Sequence, residues 1–337
     1  MIPHEKQDAV ARGLQAAFGV SGFEDISNLT GGHTASLVLR ITVGGKPYVS
    51  KLITRNEDPT RHYTCMRAAA EAGLAPRVWY TSTEDRISIT DFVEAQPFPV
   101  AEALLRLPQV LRTLHALPPF ARAPFNTTCT FLFTKGPMFD GFLQRFQASG
   151  TLSEAGLQEW KTRYAELTAI YPYDDSEMVA CHNDLFKPDN ILCDGENVWL
   201  IDWEAAFLND RYADLAVVAN QLVTNDEEEA AFLATYFGAR PSLYQQARFH
   251  LMQQLSHLFY SMAFLTLGSS GQPLQQDASS PGFREIQRRM RAGELDIGEK
   301  DAKLALGRAH WEQLVDTVRQ PRYREALTIV STNEAVR

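Results

Sequence analysis

Cys181-His182-Asn183-Asp184-Leu185-Phe186-Lys187-Pro188-Asp189-Asn190-Ile191-Leu192, followed by Val198-Trp199-Leu200-Ile201-Asp202-Trp203-Glu204, decides how the rest of the chain is read. An apolar approach leads into a polar loop, a short strand, a turn and a returning strand. Asp194-Gly195-Glu196-Asn197 is the turn, with Gly195 able to take a positive φ. The hairpin holds three polar groups near one another: Asp184 and Asn190 in the loop, and Asp202 at the end of the returning strand. One carboxylate to accept the proton of an attacking hydroxyl, with an amide oxygen and a second carboxylate to hold Mg²⁺, is the layout of a phosphoryl-transfer site. Singly, Asp184 and Asp202 read as turn and cap residues. Jointly they do not, because a carboxylate ending the apolar run 198–201 needs a partner, and a metal ion supplies one.

The loop resembles the kinase pattern of His-x-Asp, then Asn, then a metal-binding Asp. The wording His182-Asn183-Asp184 and Ile201-Asp202-Trp203-Glu204 narrows this. It is similar to the choline/ethanolamine kinase branch of the aminoglycoside phosphotransferase-like superfamily. The continuation from Ala205 to Ala216, ending Asp214-Leu215-Ala216, fits that family too. In one respect the chain departs from the pattern. Kinase loops place the Asn five residues after the Asp; here Asn190 is six after Asp184, and Asp189 takes the usual offset. Asn190 is kept as the metal ligand because Asn-Ile-Leu then enters the strand as in the family, with a longer loop around Lys187-Pro188.

Composition sets the frame. The 337 residues are 45% hydrophobic and 22% charged, as in a soluble globular protein of one large or two coupled domains. A net charge of −9 gives no electrostatic case for nucleic acid or an anionic membrane as partner. Cys65, Cys129, Cys181 and Cys193 show no Cys-x-x-Cys spacing, which argues against zinc and against a disulfide framework. With no apolar signal core at the N-terminus, the expected location is the cytoplasm. The weakly charged stretch 249–267 carries His250, Gln253, Gln254 and His257 and reads as a buried helix rather than a membrane span.

Upstream, residues 5–18 predict a short helix. Leu37, Leu39 and Ile41 alternate as in a strand, Gly44-Gly45 is a two-residue hairpin turn, and Tyr48–Ile53 returns. Gly31 and Gly32 let backbone N–H groups approach phosphates, and Lys51 offers them a point charge. Residues 61–72 predict a helix closed by Gly73. A kinase-like site would draw a Glu partner for Lys51 from this helix, but its middle holds Arg61-His62-Tyr63 and its one carboxylate, Glu71, lies near the end. Two strands, 77–82 and 86–93, follow. The second resembles the family's hinge, where the backbone of Asp91 and Val93 would hydrogen-bond adenine. From residue 98 onward helical patterns dominate, with Pro108 starting a turn and a helix at 138–147.

The resemblance implies a bilobal, protein-kinase-like α+β fold. Residues 1–94 form a β-rich nucleotide-covering lobe, and residues 95–337 a helical lobe for catalysis and substrate. It implies ATP and Mg²⁺ as cofactors, Asp184 as base, Asn190 and Asp202 as metal ligands and Lys51 on the α/β-phosphates. His182 braces the loop. Glu204 and Trp203 point to a small cationic alcohol such as choline or ethanolamine, through an acidic wall and an aromatic face. An aminoglycoside, thiamine or another hydroxyl compound is the alternative substrate class, and a nucleotide-binding module with little turnover is the alternative function. No Asp-Phe-Gly or Ala-Pro-Glu segment follows the loop, which weighs against a protein kinase.

Overall fold

The computed structural model describes residues 2–29, 36–122, 137–172, 178–272, 274 and 281–334. The chain divides into two compact units, one of residues 1–122 with 179–209, the other of residues 123–178 with 210–337. Antiparallel strands in the first and helices in the second make the protein α+β.

In the first unit, α1 (Gln7–Phe18) precedes β1 (Asp25–Asn28), β2 (Ser36–Val43) and β3 (Lys46–Ile53). Gly44 and Gly45 turn the chain between β2 and β3 with φ of 59° and 72°. A two-residue turn with both φ positive matches the twist of the strands, and glycine adopts it at little cost. Helix α2 (Thr60–Glu71) leads to β4 (Val78–Ser82) and β5 (Ile87–Asp91). The five strands form one antiparallel sheet in the order β1-β2-β3-β5-β4.

Alternation along β3 sorts its side chains. Tyr48, Ser50 and Leu52 are buried on the face covered by α1, in a core that includes Val10, Leu14, Leu39, Ile41, Ile87 and Ile89. Val49 and Lys51 take the opposite face. Gly13 is what lets α1 approach the sheet, since a Cβ there would stand 3.1 Å from Ile89 Cδ1 and from Tyr80.

Helix α3 (Val100–His115) runs straight through Pro108, which the sequence places at the start of a turn. Pro108 is buried beside Leu107, Leu111 and Leu114, so packing of the apolar face overrides the lost backbone bond. Helices α4 (Pro137–Ala148) and α5 (Glu154–Ile170) come next in the chain and belong to the second unit.

The chain then returns to the first unit through β6 (Met178–Cys181), β7 (Ile191–Cys193), β8 (Val198–Leu200) and β9 (Phe207–Asp210). β7 pairs with β8, and β6 with β9. The lobe boundary expected after residue 94 lies inside this unit. Backbone bonds tie the hairpin to the earlier segments: Leu200 N–H donates to the Leu74 carbonyl at 2.7 Å, and Gln96 N–H to the Cys193 carbonyl at 2.7 Å.

The second unit continues with α6 (Arg211–Leu222), α7 (Asp226–Phe237), α8 (Leu243–Gly268), α9 (Phe283–Arg291), α10 (Lys300–Val318) and α11 (Pro321–Glu334). The 26-residue α8 is its spine, packed against α10, α11, α6, α4 and α5. Among the described residues no helix is long and apolar enough to cross a membrane.

Candidate active site

A cavity of about 390 Å³ opens between the sheet face that carries Lys51 and the β7–β8 hairpin, within the first unit. Val38 and Val49 from the sheet and Leu192 and Leu200 from the hairpin give it apolar walls. Lys51, Asn190 and Asp202 supply its charged and polar edge. The size and the mix of lining suit a small organic ligand.

Strand pairing sets the polar groups side by side. Ile191 stands opposite Leu200, so Asn190 falls opposite Ile201, and Ile201 N–H donates to the Asn190 carbonyl at 3.0 Å. Asn190 is therefore adjacent to Asp202. Its amide nitrogen donates to the Asp184 carbonyl at 2.7 Å and to Asp184 Oδ2 at 3.1 Å. That orientation turns Asn190 Oδ1 away from Asp184. Asn190 is buried and Asp189 exposed in the single tight helical turn of residues 188–190, and both line the cavity. Lys187 Nζ lies 3.0 Å from Asp184 Oδ2. Burial raises the Asp184 carboxyl above its ordinary range, although Lys187 opposes the shift.

Three non-glycine residues have positive φ among the described residues, and two of them, Asn183 and Asp202, are in this site. Such backbone costs energy and persists where its surroundings over-determine it. Asn183 is held by donation to the carbonyls of Cys181, Ala205 and Phe207, and its Oδ1 accepts from Asn209 at 2.7 Å. His182 is fully buried. Its Nε2 meets the Ile201 carbonyl at 2.9 Å, and its Nδ1 accepts Asp184 N–H at 3.3 Å, so this ring braces the loop.

Lys51 Nζ sits 2.6 Å from Asp202 Oδ1 and 2.7 Å from Glu204 Oε1. Burial works against the charge on both Lys51 and Asp202, but the ion pairs win: the lysine is held above its ordinary value and the Asp202 carboxyl below. Arg55 Nη2 reaches the other Glu204 oxygen at 2.9 Å. Helix α2 contributes no acid here. It presents His62 and Met66 to the cavity, and burial together with the nearby Lys51 pulls His62 down to about 4.

The partner that sequence reasoning leaves open for Lys51 is thus Glu204, with Asp202. The signal was the position of Glu204 two residues after Asp202. Arg55 and Lys187 were not singled out as site residues, although Lys187 stands only three residues from Asp184. Gly31 and Gly32 lie outside the described residues. Asp91 and Val93 line the cavity, and Asp91 N–H donates to the Arg77 carbonyl at 2.9 Å. Trp203 lies along the cavity wall but is 1% exposed, donates Nε1–H to the Leu200 carbonyl at 3.0 Å and packs against His182, so little of its indole is open to a ligand. Asp202 takes a left-handed conformation and residues 203–205 coil into a tight turn, so strand alternation does not carry through this segment.

The oxygens of Asn190 and Asp202 are hard donors and suit Mg²⁺ rather than a soft metal. A family model for the phosphotransferase enzyme family matches residues 25–250. This chain belongs to the phosphotransferase enzyme family. Protein LicA of Haemophilus influenzae is 30% identical over 104 residues, a match spanning 29% of this chain and 30% of that protein's length. A choline/ethanolamine kinase family protein from Mesorhizobium loti is similar in fold, with a TM-score of 0.64 at 20% identity, covering 97% of this chain and 99% of that one. A spectinomycin phosphotransferase solved with ADP and spectinomycin is similar over 90% of this chain and 98% of its own, with a TM-score of 0.52 at 15% identity.

Proposed function

We propose that this phosphotransferase is a small-molecule kinase that moves the terminal phosphoryl group of ATP, with Mg²⁺, to the hydroxyl of an amine-bearing alcohol such as choline or ethanolamine. The observation that carries the reading is the cluster of Lys51, Asn190 and Asp202 at one edge of a single cavity, with Asp184 hydrogen-bonded to Asn190 beside it. Nucleotide binding is supported further by the hinge-like position of Asp91 and Val93 on that cavity. Under this reading the backbone of Asp91 and Val93 hydrogen-bonds adenine.

The chain's own groups then divide the work. Lys51 binds the α/β-phosphates and orients them. Asp184 accepts the proton of the attacking hydroxyl, and Asn190 fixes its carboxylate by donating to Oδ2. Burial makes Asp184 a stronger base than an exposed carboxylate, which suits proton removal from an alcohol. Asn190 Oδ1 and Asp202 would hold Mg²⁺, which when bound offsets the phosphate charge. Catalysis is then positioning and charge neutralisation.

The choice of an amine-bearing substrate is supported by the description of the Mesorhizobium loti protein as one of the choline/ethanolamine kinase family. Glu204 does not carry this half of the reading, because both of its oxygens are held by cations. A cytoplasmic location suits an ATP-consuming enzyme, and the described cysteines Cys65, Cys181 and Cys193 are buried and in no disulfide among the described residues.

The test is ATP consumption with Mg²⁺ over a panel of choline, ethanolamine, thiamine, aminoglycosides and neutral sugars. The highest kcat/KM is expected for the small amino alcohols. Aminoglycosides ahead of them, or sugars alone, would replace the substrate assignment. Nucleotide binding with no turnover on any acceptor would leave only a nucleotide-binding module.

A further inference from the structure

We propose that Glu204 is the acidic group that positions Lys51 for the nucleotide phosphates, and that Arg55 in turn fixes Glu204. The proposal rests on the reading of the cavity as a nucleotide site. In kinase-like sites the lysine is aligned by a glutamate on the following helix. Helix α2 has one carboxylate, Glu71, exposed at its far end, and turns His62 and Met66 toward the cavity instead.

Glu204 fills that gap from the other side. Oε1 takes Lys51 at 2.7 Å and Oε2 takes Arg55 at 2.9 Å, so the carboxylate bridges two cations with separate oxygens. Ser36 Oγ also donates to Oε1, at 3.4 Å. The backbone beneath is clamped. Arg61 of α2 donates Nη2–H to the Glu204 carbonyl at 3.0 Å and Nη1–H to the Ala206 carbonyl. Helix α2 thus acts on Lys51 at one remove: it holds the turn that holds the acid.

A second acid is needed because Asp202 has two demands on it. The Lys51 side chain is 14% exposed, and a cation so enclosed is costly without a partner. If Asp202 serves a metal ion, its hold on Lys51 weakens. Glu204, held at its other oxygen by Arg55, keeps the lysine paired and in place.

The experiment measures MgADP binding by calorimetry in saturating Mg²⁺, alongside ATP turnover, for wild type, Glu204→Gln, Arg55→Gln and the double variant Glu204→Gln/His62→Glu. Thermal unfolding of each confirms that it is folded. Loss of the charged contact is expected to weaken MgADP binding about tenfold in Glu204→Gln. Arg55→Gln, at a half-exposed residue, should weaken it in the same direction by about threefold, and it keeps the test open if Glu204→Gln does not fold. Placing the acid on α2 at residue 62, beside the same lysine, should recover most of the affinity. Unchanged MgADP affinity in Glu204→Gln, with or without a raised KM for the alcohol, overturns the proposal. So does a loss that extra Mg²⁺ abolishes, which makes Glu204 a metal ligand, or a double variant as weak as the single one. Failure of wild type to bind MgADP would instead overturn the nucleotide reading itself.

Discussion

Replacing Asn190 by alanine, with Asp189 replaced separately, tests which residue of the lengthened loop serves the site. Asn190 donates to both the carbonyl and the carboxylate of Asp184, at 2.7 and 3.1 Å. The second bond is to a charged acceptor, and such bonds contribute about 1.5–3 kcal/mol. At about 1.4 kcal/mol per factor of ten, loss of this contact alone lowers kcat/KM by about 10- to 100-fold. Loss of Oδ1 as a metal ligand adds a steeper Mg²⁺ requirement, which appears as a rise in the half-saturating Mg²⁺ concentration. Asp189→Ala removes an exposed side chain and should change either quantity by no more than about twofold. Initial rates of ATP consumption at saturating acceptor, with Mg²⁺ titrated, measure both, and thermal unfolding checks that Asn190→Ala remains folded. An Asp189→Ala variant as damaged as Asn190→Ala, or an Asn190→Ala variant with unchanged Mg²⁺ dependence and rate, would refute the reasoning.

In the second unit, Arg248→Met should cost about 3–5 kcal/mol of stability in denaturant unfolding, because it leaves Asp210 fully buried without its cation at 2.6 Å. Asp210→Asn should cost a similar amount, since it leaves the equally buried Arg248 guanidinium without its anion even though Asn retains an acceptor for Tyr212 N–H, the helix cap of α6. Gly307→Ala should lower the melting temperature by several degrees, as its Cβ would lie 2.7 Å from Leu265 N where α10 crosses α8. Gly282→Ala, with open space around the added Cβ, is the control and should change little.

How much was legible in the sequence follows from which contacts are local. The β2–β3 hairpin was readable because Gly44-Gly45 demands one turn type and the flanking residues alternate. The loop from His182 to Asn190 was readable because its polar residues crowd into nine positions between apolar strands. The partner of Lys51 was not, because it comes from a segment 151 or more residues away and no local pattern records the pairing. Trp203 shows a different limit. The sequence marks an aromatic beside Asp202, but not that Asp202, at φ 65°, and the tight turn after it leave that indole buried. Glu204 reached the Lys51 side all the same, by the tight turn that follows. Pro108 misled because a local preference was outweighed by the burial of α3's leucines.

Asp184 carries the chemistry in this account, and Asp184→Asn examines it most directly. Asn keeps the size of the side chain and can still accept from Asn190, but it cannot take up the hydroxyl proton. The measurement pairs MgATP binding by calorimetry with phosphoryl transfer to the best acceptor of the panel. Binding should stay within about threefold of wild type, because Lys51, Asp202 and the cavity walls are unchanged. Transfer should fall by at least about 10²–10⁴-fold, the range for loss of a general base. Near-normal transfer by Asp184→Asn, with MgATP bound, would contradict the account and remove Asp184 from the mechanism.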